Sequence, residues 1–107
     1  MNEPEIMIDV AKQFSPYPAG RYRADGSTSG EAFREDVLWP ALDKAGKGCV
    51  IVCMDGAMGY GSSFLEEAFG GLVREHHVSP KELRQRLIIR SKRKSVEKEI
   101  WEYIGFT

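Results

Sequence analysis

The sequence contains little cysteine, no long apolar run and no excess of one charge. Two of 107 residues are cysteine and the formal net charge is -1, so nothing indicates a disulfide framework or a global attraction to nucleic acid. No apolar run approaches the roughly 20 residues of a membrane-spanning helix. The first residues, MNEPEIMIDV, lack the basic start and apolar stretch of a secretory signal. We therefore expect a cytoplasmic protein that does not bind membranes.

What is present indicates one globular domain over residues 1–107. The chain is 42% hydrophobic and 29% charged, which is typical of a folded domain with a single core. Apolar alternation at 6–10 predicts a first strand. The run CVIVCM at 49–54 predicts a central strand buried on both faces, with Cys49 and Cys53 as reduced core residues too far apart for a disulfide.

Further elements complete an α/β pattern. Short strands are predicted at 21–23 and 87–89. Helices are predicted after a Thr28–Glu31 capping box, after a Ser62 or Ser63 cap, after Ser79-Pro80, and after a Ser95 cap. Pro40 should kink or divide the first of these helices, and Gly70-Gly71 should mark close packing or an early end in the second. Alternating strands and helices predict a mixed, partly parallel sheet of about four strands with about four helices packed on it.

The glycine-rich turn at 55–63 is the first candidate site, because it joins a strand's carboxyl end to a helix start. It matches neither a dinucleotide fingerprint, a P-loop nor a nucleophile elbow. The two histidines, His76 and His77, lie at the far end of the same helix, too far from Ser62 for a serine triad. A metal site at these histidines is not expected, and a plain turn with a capped helix remains the alternative to a binding loop.

Two other regions carry charge. Arg21 together with Ser27, Thr28 and Ser29 forms a secondary candidate anion site, although helix capping alone also explains the hydroxyls. Eight basic residues lie between 81 and 98 against two glutamates, without interleaved aromatic residues for base stacking. A solvated face or a patch for an acidic protein partner is favoured there over nucleic-acid binding.

Several motifs together resemble a known family. The strand-to-helix unit CVIVCMD at 49–55 followed by GSSFL at 61–65 resembles the STAS domain of anti-sigma-factor antagonists. The stretches PAGR at 18–21, SGEAFR at 29–34 and GSSFLEEAF at 61–69 resemble more closely a STAS-like family of uncharacterised bacterial domains. The resemblance covers most of residues 5–104.

The resemblance implies a STAS-like fold and a regulatory, protein-binding role. Its partner would be a serine kinase of the histidine-kinase-like ATPase fold, which would phosphorylate Ser62 or the adjacent Ser63 at the helix start. Gly61 stands where an aspartate usually precedes the acceptor serine, so the phosphorylation switch stays an open alternative to constitutive binding. The partner or ligand loop would use the following residues: Asp55, Gly56, Gly59, Tyr60, Gly61 and Glu66.

The function expected from the sequence is therefore a bacterial regulatory domain and not an enzyme, with no cofactor and no metal. The alternative is a sensor of a small ligand, a nucleotide or another anion, held by the glycine-rich loop. A homodimer is a further expectation, with Met, Phe and Trp residues outside the core as its face.

Overall fold

A parallel three-stranded sheet forms the centre of the computed structural model, which describes residues 4–106. Strands β1 (Glu5–Asp9), β2 (Cys49–Cys53) and β3 (Leu87–Arg90) lie in the order β1-β2-β3. Ile8 pairs with Val52, and Val52 with Ile89. The described residues thus form three strands in place of the four expected, and both pairings are parallel where a mixed sheet was expected.

The strand expected at 21–23 is the missing one. This segment leads into a 3-10 turn at Arg23–Asp25. The Asp25 carboxylate accepts hydrogen bonds from the backbone N–H groups of Arg21 and Tyr22 at 3.2 and 2.9 Å. Because a local side chain takes these donors, they are not available to a sheet.

Five helices connect and cover the strands. Helix α1 is Val10–Gln13, α4 is Pro80–Arg86 and α5 is Lys94–Ile104. Helix α2 (30–45) consists of Gly30–Phe33, a π-helical stretch at Arg34–Leu38, and Trp39–Ala45. Helix α3 (62–76) likewise consists of Ser62–Leu65, a π-helical stretch at Glu66–Gly70, and Gly71–His76.

Three of the predicted helix caps lie at other residues in the structure. Ser29, not Thr28, caps α2 by accepting from the Ala32 N–H, and α3 and α5 follow Gly61 and Arg93 without a side-chain cap. The fourth prediction is confirmed, since the Ser79 hydroxyl accepts from the Glu82 N–H at 3.1 Å. Capping residues suggest a helix start from sequence, but packing selects which of several adjacent candidates becomes the cap.

Pro40 was expected to kink or divide α2, and Gly70-Gly71 to mark close packing or an early end in α3. The Trp39 N–H bonds to the Arg34 carbonyl, five residues back, so a π-helical turn precedes Pro40 and the helix continues through it. Helix α3 also continues through Gly70 and Gly71. An added Cβ at Gly71 would collide with the Arg34 guanidinium, which confirms the predicted close packing.

The core lies on one face of the sheet. Ile8, Val50, Val52, Leu87 and Ile89 alternate toward a cluster formed with the helices. Four phenylalanines from α2, α3 and the segment after α1 pack together there, with ring centroids 5.3 to 6.3 Å apart. The apolar stripe predicted for α3 supplies much of this cluster, so burial of aromatic area holds α3 against the sheet.

The other face of β2 differs from expectation. Ile51 is buried, as predicted for a central strand, but Cys49 and Cys53 are free thiols that are only half-buried. These side chains lie outside the core cluster, because the helices pack on the opposite face. Within residues 4–106, no helix combines the length and apolar character needed to cross a bilayer.

Candidate functional site

The loop between β2 and α3 is fixed by three contacts. The Tyr60 hydroxyl donates to the Met54 carbonyl at 2.7 Å, and its ring packs 5.8 Å from that of Phe64. The Met58 N–H donates to the Pro16 carbonyl at 2.9 Å. Gly56 has a φ of 93° and Gly59 a φ of 157°, which only glycine adopts readily. The loop therefore presents a defined surface.

Tyr60 supports this loop as a neutral hydrogen-bond donor. Burial raises the pKa of Tyr60 well above its ordinary value of 10.0, and nearby anionic groups, Asp55 among them, raise it further. A neutral hydroxyl can donate to the Met54 carbonyl at every physiological pH. Of the candidate loop residues, Tyr60 thus has a clear positioning role.

Asp55 joins two loops at the carboxyl ends of β2 and β3. Its Oδ1 accepts from the Lys92 N–H at 2.9 Å. A small cavity of about 190 Å³ lies at this junction. It is lined by residues 54–57, 59 and 60 of the loop and by Ser91, Lys92, Arg93 and Val96. Ligand pockets for drug-sized molecules begin near about 300 Å³. The cavity therefore suits an inorganic anion or a single inserted side chain better than a nucleotide.

Basic side chains border this cavity without local partners. Within residues 4–106, Lys92 and Arg93 form no ion pair, whereas Arg21, Arg34 and Arg74 all do. Helix α5 starts directly after Arg93 and adds the partial positive charge of its N-terminus. The result is an electropositive rim beside the Asp55 loop.

Two exposed apolar side chains lie beside the same loop. Met58 is 74% exposed and Tyr17 is 67% exposed, and the Met58–Pro16 backbone bond brings their segments together. Neither residue was among those selected from the sequence. A large apolar residue inside a glycine-rich turn is the signal that could have identified Met58. For this surface we use the name carboxyl-edge surface, comprising Tyr17, Asp55, Met58, Lys92 and Arg93.

The two serines at the start of α3 are exposed. They occupy the first two helical positions after Gly61, so neither is the cap. Helix α5 lies beside them. There the Tyr103 hydroxyl donates to the Glu99 carboxylate at 2.6 Å. This bond and burial raise the pKa of Tyr103, whereas the Ser62 side chain acts in the opposite direction. The Ser62 side chain therefore lies near the Tyr103 hydroxyl of α5.

Glu66 lies away from the loop, in a cluster of alternating charges. Arg21 donates to Glu66 at 2.6 Å and to Glu67 at 3.3 Å, and Arg74 contacts the same two carboxylates. Burial tends to raise the pKa of Glu66, but the hydrogen bonds from Arg74 and Arg21 outweigh it and lower the pKa. The Glu66 carboxylate is thus held by structural contacts.

Arg34 is the buried centre of this cluster. Its guanidinium donates to the Glu67 carboxylate and to the Glu67 carbonyl, each at 2.7 Å, and to Glu35 at 2.7 Å. Glu35 also contacts His76 at 2.6 Å, and the His76 ring stacks on Trp39. The sequence contained no spacing that would have identified this network, since its members come from separate elements.

Of the secondary anion residues, Arg21 belongs to this cluster. The Arg21 guanidinium points to the two glutamates, and Ser29 is buried as the α2 cap. The backbones at 19–21 and 28–31 are joined by hydrogen bonds of 2.9 to 3.0 Å. The structure therefore does not bring Arg21 and Ser29 together as a pair of free anion ligands.

A wider open hollow of about 530 Å³ lies at the opposite end of the sheet, against α4 and the turn before β2. Its most buried side chain, Arg86, donates to the carbonyls of Leu42 and Gly48. These bonds satisfy the last turn of α2 and the start of β2. The hollow is therefore bordered by structural contacts, and Lys81 and Arg86 of the basic stretch at 81–98 lie in it.

The chain thus combines a parallel α/β sheet with a glycine-rich loop that leads into a serine-containing helix. The family model described as a STAS-like domain of unknown function matches residues 29–97, and the chain belongs to this family. No curated protein and no solved structure matches the chain.

Proposed function

We propose that this domain is a regulatory module that binds a partner protein through the carboxyl-edge surface. The observation that supports this most strongly is the exposure of Met58 and Tyr17 on an anchored loop. Methionine, tyrosine and arginine are enriched where proteins bind one another. Lys92 and Arg93 beside them form no ion pair within residues 4–106, and they favour an acidic partner surface because complementary charge directs association.

The module needs little rearrangement to bind. Tyr60, Asp55 and the Met58 backbone each anchor the loop through a hydrogen bond. A loop that is already ordered loses less conformational entropy when a partner binds. This property suits a specific contact formed by few side chains.

The test is a quantitative pull-down from lysate of the native host with wild type, Tyr17→Ala and Tyr22→Ala. Tyr22 is 52% exposed and lies outside the carboxyl-edge surface, so it is the matched control. We expect one partner to be retained by wild type and Tyr22→Ala and reduced at least tenfold by Tyr17→Ala. Equal retention by all three would contradict the proposed surface.

We further propose that phosphorylation of Ser62 or Ser63 switches this binding. Both hydroxyls are exposed, and phosphate adds about -1.5 to -2 charge. On Ser62 that charge would lie beside the Tyr103 hydroxyl of α5 and compete with the Tyr103–Glu99 hydrogen bond within α5. The helix N-terminus would favour the same charge on either serine.

Glutamate and alanine variants of the two serines test the switch separately from binding. We expect Ser62→Glu to lower partner retention several-fold while Ser62→Ala stays at the wild-type level. The same pair at Ser63 identifies which serine acts. If all four variants retain the partner equally, the module binds constitutively and the switch is wrong.

A second candidate function, an anion sensor, is favoured by the basic rim of the 190 Å³ cavity. Inorganic phosphate and a mononucleotide, titrated separately by calorimetry, distinguish the ligand classes. The cavity volume predicts heat with phosphate alone, abolished by Lys92→Gln. No heat with either compound would remove this candidate and leave protein binding.

A further inference from the structure

The sheet face opposite the helices forms a second, separate surface. Side chains alternate along each strand, so every residue that does not point to the core points outward. The strand register places Met7 beside Ile51 and Ile51 beside Ile88 in one row. We call this set the outer face, and it consists of Glu5, Met7, Asp9, Cys49, Ile51, Cys53, Ile88 and Arg90.

The outer face carries two exposed apolar side chains, one on each edge strand, beside the buried Ile51 of β2. Met7 is 56% exposed and Ile88 is 40% exposed, and none of the outer-face side chains belongs to the core cluster. Parallel sheets are almost always covered on both faces. We therefore expect another molecule to cover this apolar row across the three strands.

The charged residues at the carboxyl end of the outer face indicate which molecule covers it. Asp9 on one edge strand and Arg90 on the other lie in the same row, with Cys53 between them, and Oδ1 of Asp9 also accepts from the Lys12 N–H at the start of α1. Two strand spacings of about 4.8 Å separate them, and no ion pair joins them or engages Arg90 within residues 4–106. The face thus has an acidic corner and a basic corner on opposite sides of β2.

We propose that the outer face binds the outer face of a second copy of this chain. A two-fold axis parallel to the strands and over β2 places Asp9 of each copy opposite Arg90 of the other. The same axis places Met7 opposite Ile88 and Ile51 opposite itself. Two sheets packed this way lie about 10 Å apart, within reach of an aspartate–arginine pair.

The alternative two-fold axis, perpendicular to the strands, is disfavoured by charge. It would place Asp9 of one copy opposite Glu5 of the other, and like charges in contact oppose association. Only the axis parallel to the strands therefore pairs the acidic corner with the basic one. The interface is isologous, as in most homodimers.

The dimer is expected to be weak because the face spans three short strands. Interfaces much smaller than the usual 1,200 to 2,000 Å² are typical of transient complexes. We expect a dissociation constant on the order of 100 μM. This interface does not involve the carboxyl-edge surface, so the proposal stands independently of the partner protein.

Sedimentation equilibrium from about 10 μM to 1 mM tests the proposal on four samples. Wild type should shift from monomer to dimer over this range. Arg90→Glu alone and Asp9→Lys alone should remain monomeric. Their equimolar mixture should form a heterodimer, because Asp9 of one meets Arg90 of the other while Lys meets Glu at the second site.

Asp9 also caps α1 by accepting from the Lys12 N–H, so Asp9→Lys lowers stability as well as reversing charge. Asp9→Asn keeps a capping side chain and should weaken the dimer about tenfold if the fold, checked by circular dichroism, is intact. A monomeric wild type at 1 mM overturns the proposal and leaves the face to another occupant. A dimer that tolerates both charge reversals overturns it too.

Discussion

At the scale of single residues, the Arg34 side chain restricts what can replace Gly71. Replacing glycine by alanine inside a helix ordinarily stabilises a protein by roughly 1 kcal/mol. Here the added Cβ would enter the space of the Arg34 guanidinium, which is held by two glutamates and cannot withdraw freely. The sign of the usual effect should therefore reverse.

We predict that Gly71→Ala lowers the free energy of unfolding by about 1–3 kcal/mol. Urea unfolding followed by tryptophan fluorescence measures the change. Gly61→Ala is the control, because its added Cβ meets open space at an ordinary φ of -74°. A stabilised Gly71→Ala protein would show that the guanidinium is not fixed where the structure places it.

The charge cluster predicts a second residue-scale effect, which depends on pH. The pKa values of Glu35 and Glu66 are lowered: burial acts to raise them, but hydrogen bonds from Arg34 and His76 to Glu35, and from Arg74 and Arg21 to Glu66, outweigh it. Because the folded state binds these protons less tightly than the unfolded state, the stabilisation is complete above the ordinary value of 4.5. It is lost as pH falls through the lowered values.

Urea midpoints should therefore fall steeply between pH 5 and about pH 3. The double variant Glu35→Gln and Glu66→Gln should be less stable at pH 7 and should show a flatter decline. Glu102→Gln, an exposed residue of α5, is the control and should follow wild type. An identical pH profile for the double variant would exclude these carboxylates as the cause.

At the scale of secondary-structure elements, the Arg86 side chain links α4 to α2 and to the start of β2. From α4 it donates to the Leu42 carbonyl in α2 and to the Gly48 carbonyl before β2, and it pairs with Glu82 at 2.9 Å. Lysine cannot reproduce this fork of donors. Buried carbonyls without partners cost about 1–3 kcal/mol each.

Arg86→Lys should accordingly lower the free energy of unfolding by about 2–4 kcal/mol. Thermal unfolding compared with Arg84→Lys on the same helix measures the effect. Arg84 lies over the rings of Trp101 and Phe106 at about 5 Å, so its replacement should cost less than about 1 kcal/mol. Equal losses for both variants would count against the bridging role of Arg86.

Elements with a strong apolar periodicity could be predicted from the sequence. Elements that depend on one particular side-chain contact could not. β2 and α3 follow from a continuous apolar run and a regular apolar stripe. The segment at 21–23 alternates like a strand, yet the Asp25 carboxylate captures its N–H groups. The π-helical stretch in α2 directly precedes Pro40, and the one in α3 contains Glu67, the partner of Arg34. Apolar periodicity alone does not reveal either stretch.

In the candidate site, too, some residues could be located from the sequence and others could not. Asp55 at a strand's carboxyl end and the serines at the next helix start could be located from order along the chain. The proximity of Tyr17 to Met58 could not, because it depends on the Pro16–Met58 backbone bond between distant segments. The ion pairs of Arg21 could not be predicted either, because its partners on α3 are distant in sequence.

At the scale of the whole molecule, one helical layer on one sheet face leaves two surfaces available. The carboxyl-edge surface carries exposed apolar and basic side chains on an anchored loop, and the outer face carries an apolar row with opposite charges at its corners. We propose a different occupant for each surface, a regulatory partner for the first and a second copy for the second. The two surfaces are formed by different residues.

The central claim, that a partner protein binds the carboxyl-edge surface, is tested most directly by site-specific photocrosslinking in the native host. A photoreactive phenylalanine analogue replaces Met58 in one strain and Tyr22 in another. We predict a crosslinked product of defined mass from position 58, identified by mass spectrometry as one other protein, and none from position 22. No product at position 58, or the same product from both positions, would contradict the account.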